Sequence, residues 1–281
     1  MPGERVISIE GLTFTYATGT RAALADVNLE IERGEYIGIM GLNGAGKTTL
    51  GLCLNGIVPQ STMGFYEGKV TVEGLDAATT PVREMAKRVG IVFDNPEFQM
   101  SQVSAAEEVA LGLENLGVPT EEMIPRVSDA LTQVGLAGFE ERSPMGLSGG
   151  QQQRLAIASV LVMSPRILFM DEPTSNLDPT GKEEVFELAR KLNRDEGMTV
   201  IVAEHESEVL ATFANRIVVL HEGRIVMVGT PTEVFSRGDE LAAIGLRSPQ
   251  ATELALRLAG PGSKGLPVTT DEAVTWLEAR R

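Results

Sequence analysis

The chain carries a single cysteine, Cys53. No internal disulfide can form, and a reducing compartment suits such a sequence. Cys53 lies in an apolar run and reads as a packing residue. Positive charge is also scarce: 24 Lys and Arg stand against 39 Asp and Glu, for a net charge of −15 over 281 residues. That balance argues against a nucleic-acid partner, which asks for a basic patch, and against direct docking on anionic lipid. Long apolar runs are missing, since the longest, 155–163, is far too short to cross a bilayer. The N-terminal stretch MPGERVISIEG holds no apolar signal segment. The expectation is a soluble chain that needs a partner to work at a membrane. Internal repeats, low-complexity tracts and sustained heptads are absent too, which leaves no solenoid or long coiled coil.

What is present is ample apolar material, 43% of the residues, enough for one large domain and an appendage. Residues 5–40 alternate apolar and polar in short runs, the pattern of antiparallel strands. The last of these runs, 36–40, is nearly all apolar and suits a strand buried on both faces. Residues 69–76 and 89–93 read as further strands. Residues 104–136 change to helical spacing with acids near the helix starts, a helical insertion. A helix (about 149–163), the strand RILFMD, a helix (about 180–196), the strand TVIVAEH and a helix from about Ser207 follow. Such alternation predicts a mostly parallel sheet covered on both faces. Residues 218–229 read as a hairpin turning at Glu222-Gly223. Short helical pieces, a turn-rich linker GPGSKGLP (260–267) and a capped helix in TTDEAVTWLEARR close the chain. The fold class is α/β: a mostly parallel core sheet with N-terminal antiparallel strands and a helical insertion (about 100–163) over residues 1–237, then a small helical domain over 238–281.

The stretch Gly41-Leu42-Asn43-Gly44-Ala45-Gly46-Lys47-Thr48, followed by Thr49, fits G-x-x-x-x-G-K-[ST] between a predicted strand and a predicted helix. Phosphate oxygens accept from backbone N–H groups that must point inward, and a Cβ obstructs their approach. The helix N-terminus adds partial positive charge. Lys47 would reach the β- and γ-phosphates, and Thr48 would ligate Mg²⁺, so the loop is expected to cradle a triphosphate. The apolar strand ILFMD ends in Asp171 and continues with Glu172. A strand-end Asp in such proteins holds Mg²⁺, and a second acid beside it can take a proton from an attacking water. Leu147-Ser148-Gly149-Gly150-Gln151 opens another helix. Ser148 suits an N-cap. Two glycines after a cap sacrifice about 1 kcal/mol each of helix propensity, which makes sense if a ligand needs the bare backbone.

Loop, LSGGQ, Asp-Glu strand and a later histidine, in that order over about 5–235, resemble an ABC-type ATPase. The resemblance implies ATP and Mg²⁺ as ligands and a head-to-tail pair of nucleotide domains. Each ATP would lie between the loop of one copy and the LSGGQ segment of the other. A chain with one loop then needs a homodimer, or a heterodimer with a second ABC ATPase. The resemblance makes Tyr16 the aromatic that stacks on adenine, Glu172 the general base and His205 the switch histidine at the γ-phosphate. Asn176-Leu177-Asp178 becomes the loop facing the partner, while His221 reads as a solvated turn residue.

The stretches FDNPEFQ (93–99), GTPTEVF (229–235) and GLPVTTDEAVTWL resemble the ATPase subunits of energy-coupling factor (ECF) transporters more particularly. That family imports vitamins or transition-metal ions with a transmembrane coupling protein and a small substrate-binding membrane protein. Its ATPases sit peripherally on the cytoplasmic face of the membrane, and the tail is a dimerisation domain. Asp94 stands where that family usually has Gln, and is taken as a candidate metal ligand; Gln99 remains five residues on. The segment 95–102 would receive a helix of the coupling protein, with Glu97 as an acidic contact. The alternative is a soluble ABC ATPase outside transport, acting on DNA, ribosomes or Fe–S assembly. DNA-repair relatives carry a long coiled coil between loop and signature, and translation-factor relatives carry two nucleotide domains. Sugar-importer ATPases carry a longer β-rich tail.

Overall fold

The computed structural model describes residues 3–260, 263 and 265–280. Met1 and Pro2 of the N-terminal stretch, Pro261, Gly262 and Lys264 of the expected linker, and Arg281 lie outside the described residues. Among the described residues, ten strands build two sheets. They are β1 (Arg5–Tyr16), β2 (Leu24–Glu32), β3 (Tyr36–Met40), β4 (Gly64–Val72), β5 (Leu75–Asp76), β6 (Val89–Val92), β7 (Ile167–Asp171), β8 (Thr199–Glu204), β9 (Arg216–His221) and β10 (Arg224–Gly229). The first sheet is antiparallel, in the order β2-β1-β4-β5. The second runs β10-β9-β3-β8-β7-β6, parallel except for its edge strand β10.

The apolar runs at 36–40 and 167–171 are buried at every position, as strands covered on both faces should be. Their side chains divide with period 2. Ile37 and Ile39 of β3, Ile167 and Phe169 of β7, and Ile201 of β8 join a core with the antiparallel sheet and the helix Lys47–Leu54. Tyr36, Met40, Leu168, Met170, Val200 and Val202 point the other way, into a core with the helices Ala105–Leu116, Thr120–Gln133, Gly149–Leu161 and Pro179–Glu196. The central sheet is therefore the middle of three layers.

The expected strand at 69–76 is two strands. β4 begins earlier, at Gly64, and the Glu73-Gly74 turn folds it back into β5. Both turn residues have positive φ, 46° and 80°, the type I′ geometry that matches strand twist. The helix from Gly149 stops at Leu161, short of 163. In the insertion, buried Glu108 accepts hydrogen bonds from Ser101 N and Gln102 N at 2.8 and 2.9 Å, which pins the loop before it. After β10 the chain forms Pro231–Phe235, Gly238–Ala243, Gln250–Ala259 and Thr270–Glu278. The last helix carries the expected capping box, Thr269 with Glu272. Leu254, Leu258, Val274 and Leu277 of the final two helices are exposed. Among the described residues, no helix is long and apolar enough to cross a membrane.

Parallel pairing sets the site. Met40 pairs with Glu204 and Asp171 with Ala203. The chain therefore leaves β3, β7 and β8 at one edge of the sheet, where ligands of open α/β sheets bind.

Candidate active site

β3 runs into the glycine loop, which opens the helix Lys47–Leu54. The glycines are demanded by protein neighbours as well as by any ligand. A Cβ at Gly41 would lie 2.5 Å from the Leu220 carbonyl oxygen, and one at Gly46 would lie 2.4 Å from that of Ala23. At Gly44, by contrast, a Cβ would meet nothing within 4 Å. Asn43 to Thr48 of the loop wall a cavity of about 430 Å³ together with Tyr16, Ala23, Thr49, Phe93, Asp94, Asp171 and Glu172, whereas Gly41, Leu42 and His205 do not line it. That volume is within the usual range for a small-molecule site.

Lys47 is buried, with Nζ 2.9 Å from the Gly41 carbonyl oxygen. The same nitrogen is 2.9 Å from Glu172 Oε1. Thr48 donates its hydroxyl proton to the Asp171 carboxylate. Burial pushes the Asp171 carboxyl above its ordinary value; the Thr48 hydrogen bond and Lys47 pull it back, while Glu172 and Asp94 push it further up. Three hard oxygen donors, Thr48, Asp171 and Asp94, thus border one cavity. This donor set fits Mg²⁺, which takes one or two carboxylates and completes its shell with phosphates and water. Among the described residues, no three His, Cys, Asp or Glu side chains are arranged to hold a metal by themselves.

Glu172 follows β7 with φ at 45°. Left-handed backbone in a residue with a Cβ is costly and clusters at functional sites. The Tyr16 and Thr49 hydroxyls share a hydrogen bond of 2.9 Å. The Tyr16 ring meets Phe14 edge-on at 4.9 Å. His205 follows β8, half exposed, with Nδ1 3.9 Å from Glu172 Oε2 and 3.0 Å from Glu204 Oε1.

Ser148, Gly149, Gly150 and Gln151 are not brought to this cavity. They line a second one, of about 480 Å³, with Asn176, Leu177 and Asp178. Here the Ser148 side chain does cap the helix: Ser148 Oγ accepts from Gln151 N, and Gln151 Oε1 accepts from Ser148 N at 3.0 Å. Asp178 caps the next helix, accepting from Gly181 N at 2.7 Å. A third hollow, of about 300 Å³, is lined by Asp94, Asn95, Pro96 and Glu97 against Gly149 and Asn176. Phe98 stands out beside it, 89% exposed. His221 ends β9 beside the Glu222-Gly223 turn. Cys53 is buried, and its thiol is pushed up to about 12 by burial.

Ala23, Phe93 and Glu204 were not singled out from the sequence. Ala23 carries no chemical signal. Phe93 comes in as the neighbour of Asp94. Glu204 did carry a signal, an acid directly before His205 at the end of an apolar strand.

Comparison with known proteins agrees with this architecture. The family model described as "ABC transporter" matches residues 24–175. The chain is 43% identical over 258 residues to the energy-coupling factor transporter ATP-binding protein EcfA1 of Lacticaseibacillus paracasei, covering 92% of this chain and 90% of that protein. It is 43% identical to the EcfA1 of Symbiobacterium thermophilum, covering 96% of each. Among solved structures, cbiO1 of Clostridium perfringens, part of the ABC transporter complex cbiONQ, superposes with a TM-score of 0.74. Its identity is 33%, covering 90% of this chain and 99% of that one. The ATP-binding cassette MJ0796, solved as a dimer bound to ADP and Pi, gives 0.70 at 31% identity, covering 80% and 98%. The chain belongs to the ATP-binding subunits of ABC transporters, a family of ATP-hydrolysing enzymes.

Proposed function

We propose that the chain is the motor subunit of an ECF-type importer for a vitamin or a transition-metal ion. It works as a homodimer or heterodimer on the cytoplasmic face of the membrane, and drives a transmembrane coupling protein that carries a substrate-binding membrane protein. The observation that carries the reading is the separation of the glycine loop and the Ser148–Gln151 helix start onto different cavities of one chain. Each is half of a phosphate site, and a second copy completes it. Similarity to EcfA1 proteins along nearly the whole chain supports the ECF assignment. The exposed Leu254, Leu258, Val274 and Leu277 make the last two helices a dimerisation surface within residues 238–281.

In this reading the loop backbone and Lys47 hold the phosphates of ATP, and Tyr16 stacks on its adenine. Thr48, Asp171 and Asp94 hold Mg²⁺, which neutralises phosphate charge when bound. Glu172 takes a proton from the attacking water at its carboxylate, and His205 contacts the γ-phosphate. Before ATP arrives, Lys47 and Glu172 neutralise each other; the γ-phosphate takes Lys47 over and frees Glu172 for the water. The hollow at Asp94–Glu97, with Phe98 beside it, receives a helix of the coupling protein. That protein's basic residue meets Glu97.

Two experiments test the proposal. Glu172→Gln should retain ATP binding while turnover falls by about 10² to 10⁴; hydrolysis near the wild-type rate removes Glu172 from its role. Purification of the tagged chain from membranes should bring hydrophobic membrane proteins with it. Glu97→Arg should weaken that association; recovery of soluble partners alone would favour the non-transport reading.

A further inference from the structure

Glu204 is a buried carboxylate for which the reaction above has no use. It ends β8 with only 1% of its surface exposed. A carboxylate so placed needs donors. Its Oε1 accepts from the backbone N–H of His205 at 2.7 Å and of Glu206 at 3.3 Å. The same oxygen is 3.0 Å from His205 Nδ1. Its Oε2 accepts from the hydroxyl of Thr174 at 3.3 Å. Thr174 is itself buried and follows Glu172 by two residues. One carboxylate therefore ties the histidine turn to the loop that carries Glu172.

We propose that Glu204 is the positioning residue for His205: it holds the imidazole by Nδ1–H and leaves Nε2 as the ring atom for the nucleotide. The inference rests on the role given to His205 above. Nδ1 is within hydrogen-bond distance of Oε1 although its N–H is not yet aligned on it, and because an ionised carboxylate only accepts, a small turn of the ring completes the bond when Nδ1 carries the proton. A lone pair there would face the lone pairs of Oε1. Glu172 does not compete for that proton, because its nearer oxygen is 3.9 Å away, beyond hydrogen-bond reach. The imidazole is half exposed, and among the described residues no hydrogen bond to another side chain fixes its rotation or tautomer. A carboxylate behind a working histidine commonly sets both.

Having only two histidines, His205 and His221, makes the test direct. The imidazole nitrogens of the full-length, nucleotide-free chain are read by ¹⁵N–¹H correlation spectra, with His221→Asn to assign the signals. In wild type, His205 should be the Nδ1–H tautomer. In Glu204→Met it should revert to the mixture, mostly Nε2–H, of an unconstrained histidine. In Glu204→Gln the amide oxygen still accepts, and the Nδ1–H form should persist. Turnover should fall about tenfold to a hundredfold in Glu204→Met, and less in Glu204→Gln. The loss should lie in kcat rather than in KM for ATP. An Nε2–H His205 in wild type, or an unchanged Nδ1–H form in Glu204→Met, overturns the proposal. If Glu204→Met does not fold, an Nε2–H form in Glu204→Gln overturns it equally. If the tautomer changes as expected while kcat does not, the role of His205 in hydrolysis fails and its link to Glu204 stands.

Discussion

Asp94 is the residue at which this chain departs from the pattern it otherwise resembles. It lines the cavity with Asp171 and adds to the negative field there. A Gln at this place can offer a carbonyl oxygen and also donate from its amide; an ionised Asp only accepts. Beside Mg²⁺ the acid is favoured, and beside a phosphate without metal it repels. ATPase rate measured against free Mg²⁺ should therefore rise more steeply for the wild type than for Asp94→Gln. Superimposable curves would show that Asp94 does not touch the metal. Apart from Ala23 and Phe93, the residues of the cavity were singled out from the sequence, most of them because their chemistry is spelled out locally, by glycine spacing before Lys47 and by two acids at the end of an apolar strand. Glu204 was not picked out because its value depends on burial and on Thr174, which is thirty positions away in sequence. The glycine requirement at Gly41 was given an incomplete reason. The neighbour that excludes a Cβ there is the carbonyl of Leu220, on a strand that follows far later.

At the scale of elements, the hairpin of β9 and β10 is tied to the glycine loop. Its turn residue Gly223 donates its N–H to the Ala45 carbonyl at 3.0 Å and accepts from Ala25 N at 2.8 Å. The turn thus joins the loop to the segment beside Ala23 in the cavity wall. Gly223 has φ at 78°, and an added Cβ would lie 2.8 Å from the Ala23 carbonyl oxygen. The Glu73-Gly74 turn is a matched control. Gly74 has φ at 80°, and a Cβ there meets nothing within 4 Å. Each Gly→Ala substitution carries the same left-handed penalty, roughly 1–2 kcal/mol. Only Gly223→Ala should also shift the loop, weakening ATP binding by about tenfold or more; Gly74→Ala should leave it unchanged. Equal affinities in the two variants would rule out a supporting role for the hairpin. Strands and helices were legible where apolar period was strong, as in β3, β7 and the hairpin at Glu222-Gly223. The β4–β5 turn was missed although it is the same Glu-Gly dipeptide as the β9–β10 turn, because β5 is only two residues long and leaves no apolar run beyond the turn, whereas β10 runs for six. The division of the strands between two sheets could not be read from pattern, since it depends on which edges pair.

For the whole molecule, the decisive feature is that the glycine loop and the Ser148–Gln151 helix start line different cavities of one chain, each proposed above as half of a phosphate site. The sequence marked both, through Lys47 and through the Ser148-Gly149-Gly150 helix start. That they do not meet within a chain could be inferred from resemblance alone, because distance in sequence says nothing of distance in space. In the proposed arrangement, a site completed by a second copy would make closure depend on ATP, since only the closed pair would contact the nucleotide from both sides. Ser148→Arg places a bulky cation at the second half-site while leaving the glycine-loop cavity untouched. The direct test is to measure ATP affinity and steady-state hydrolysis together for this variant. ATP affinity should stay near that of the wild type while turnover falls by about 10² or more. Hydrolysis at the wild-type rate would mean that each chain completes its own site, and would contradict the shared-site account.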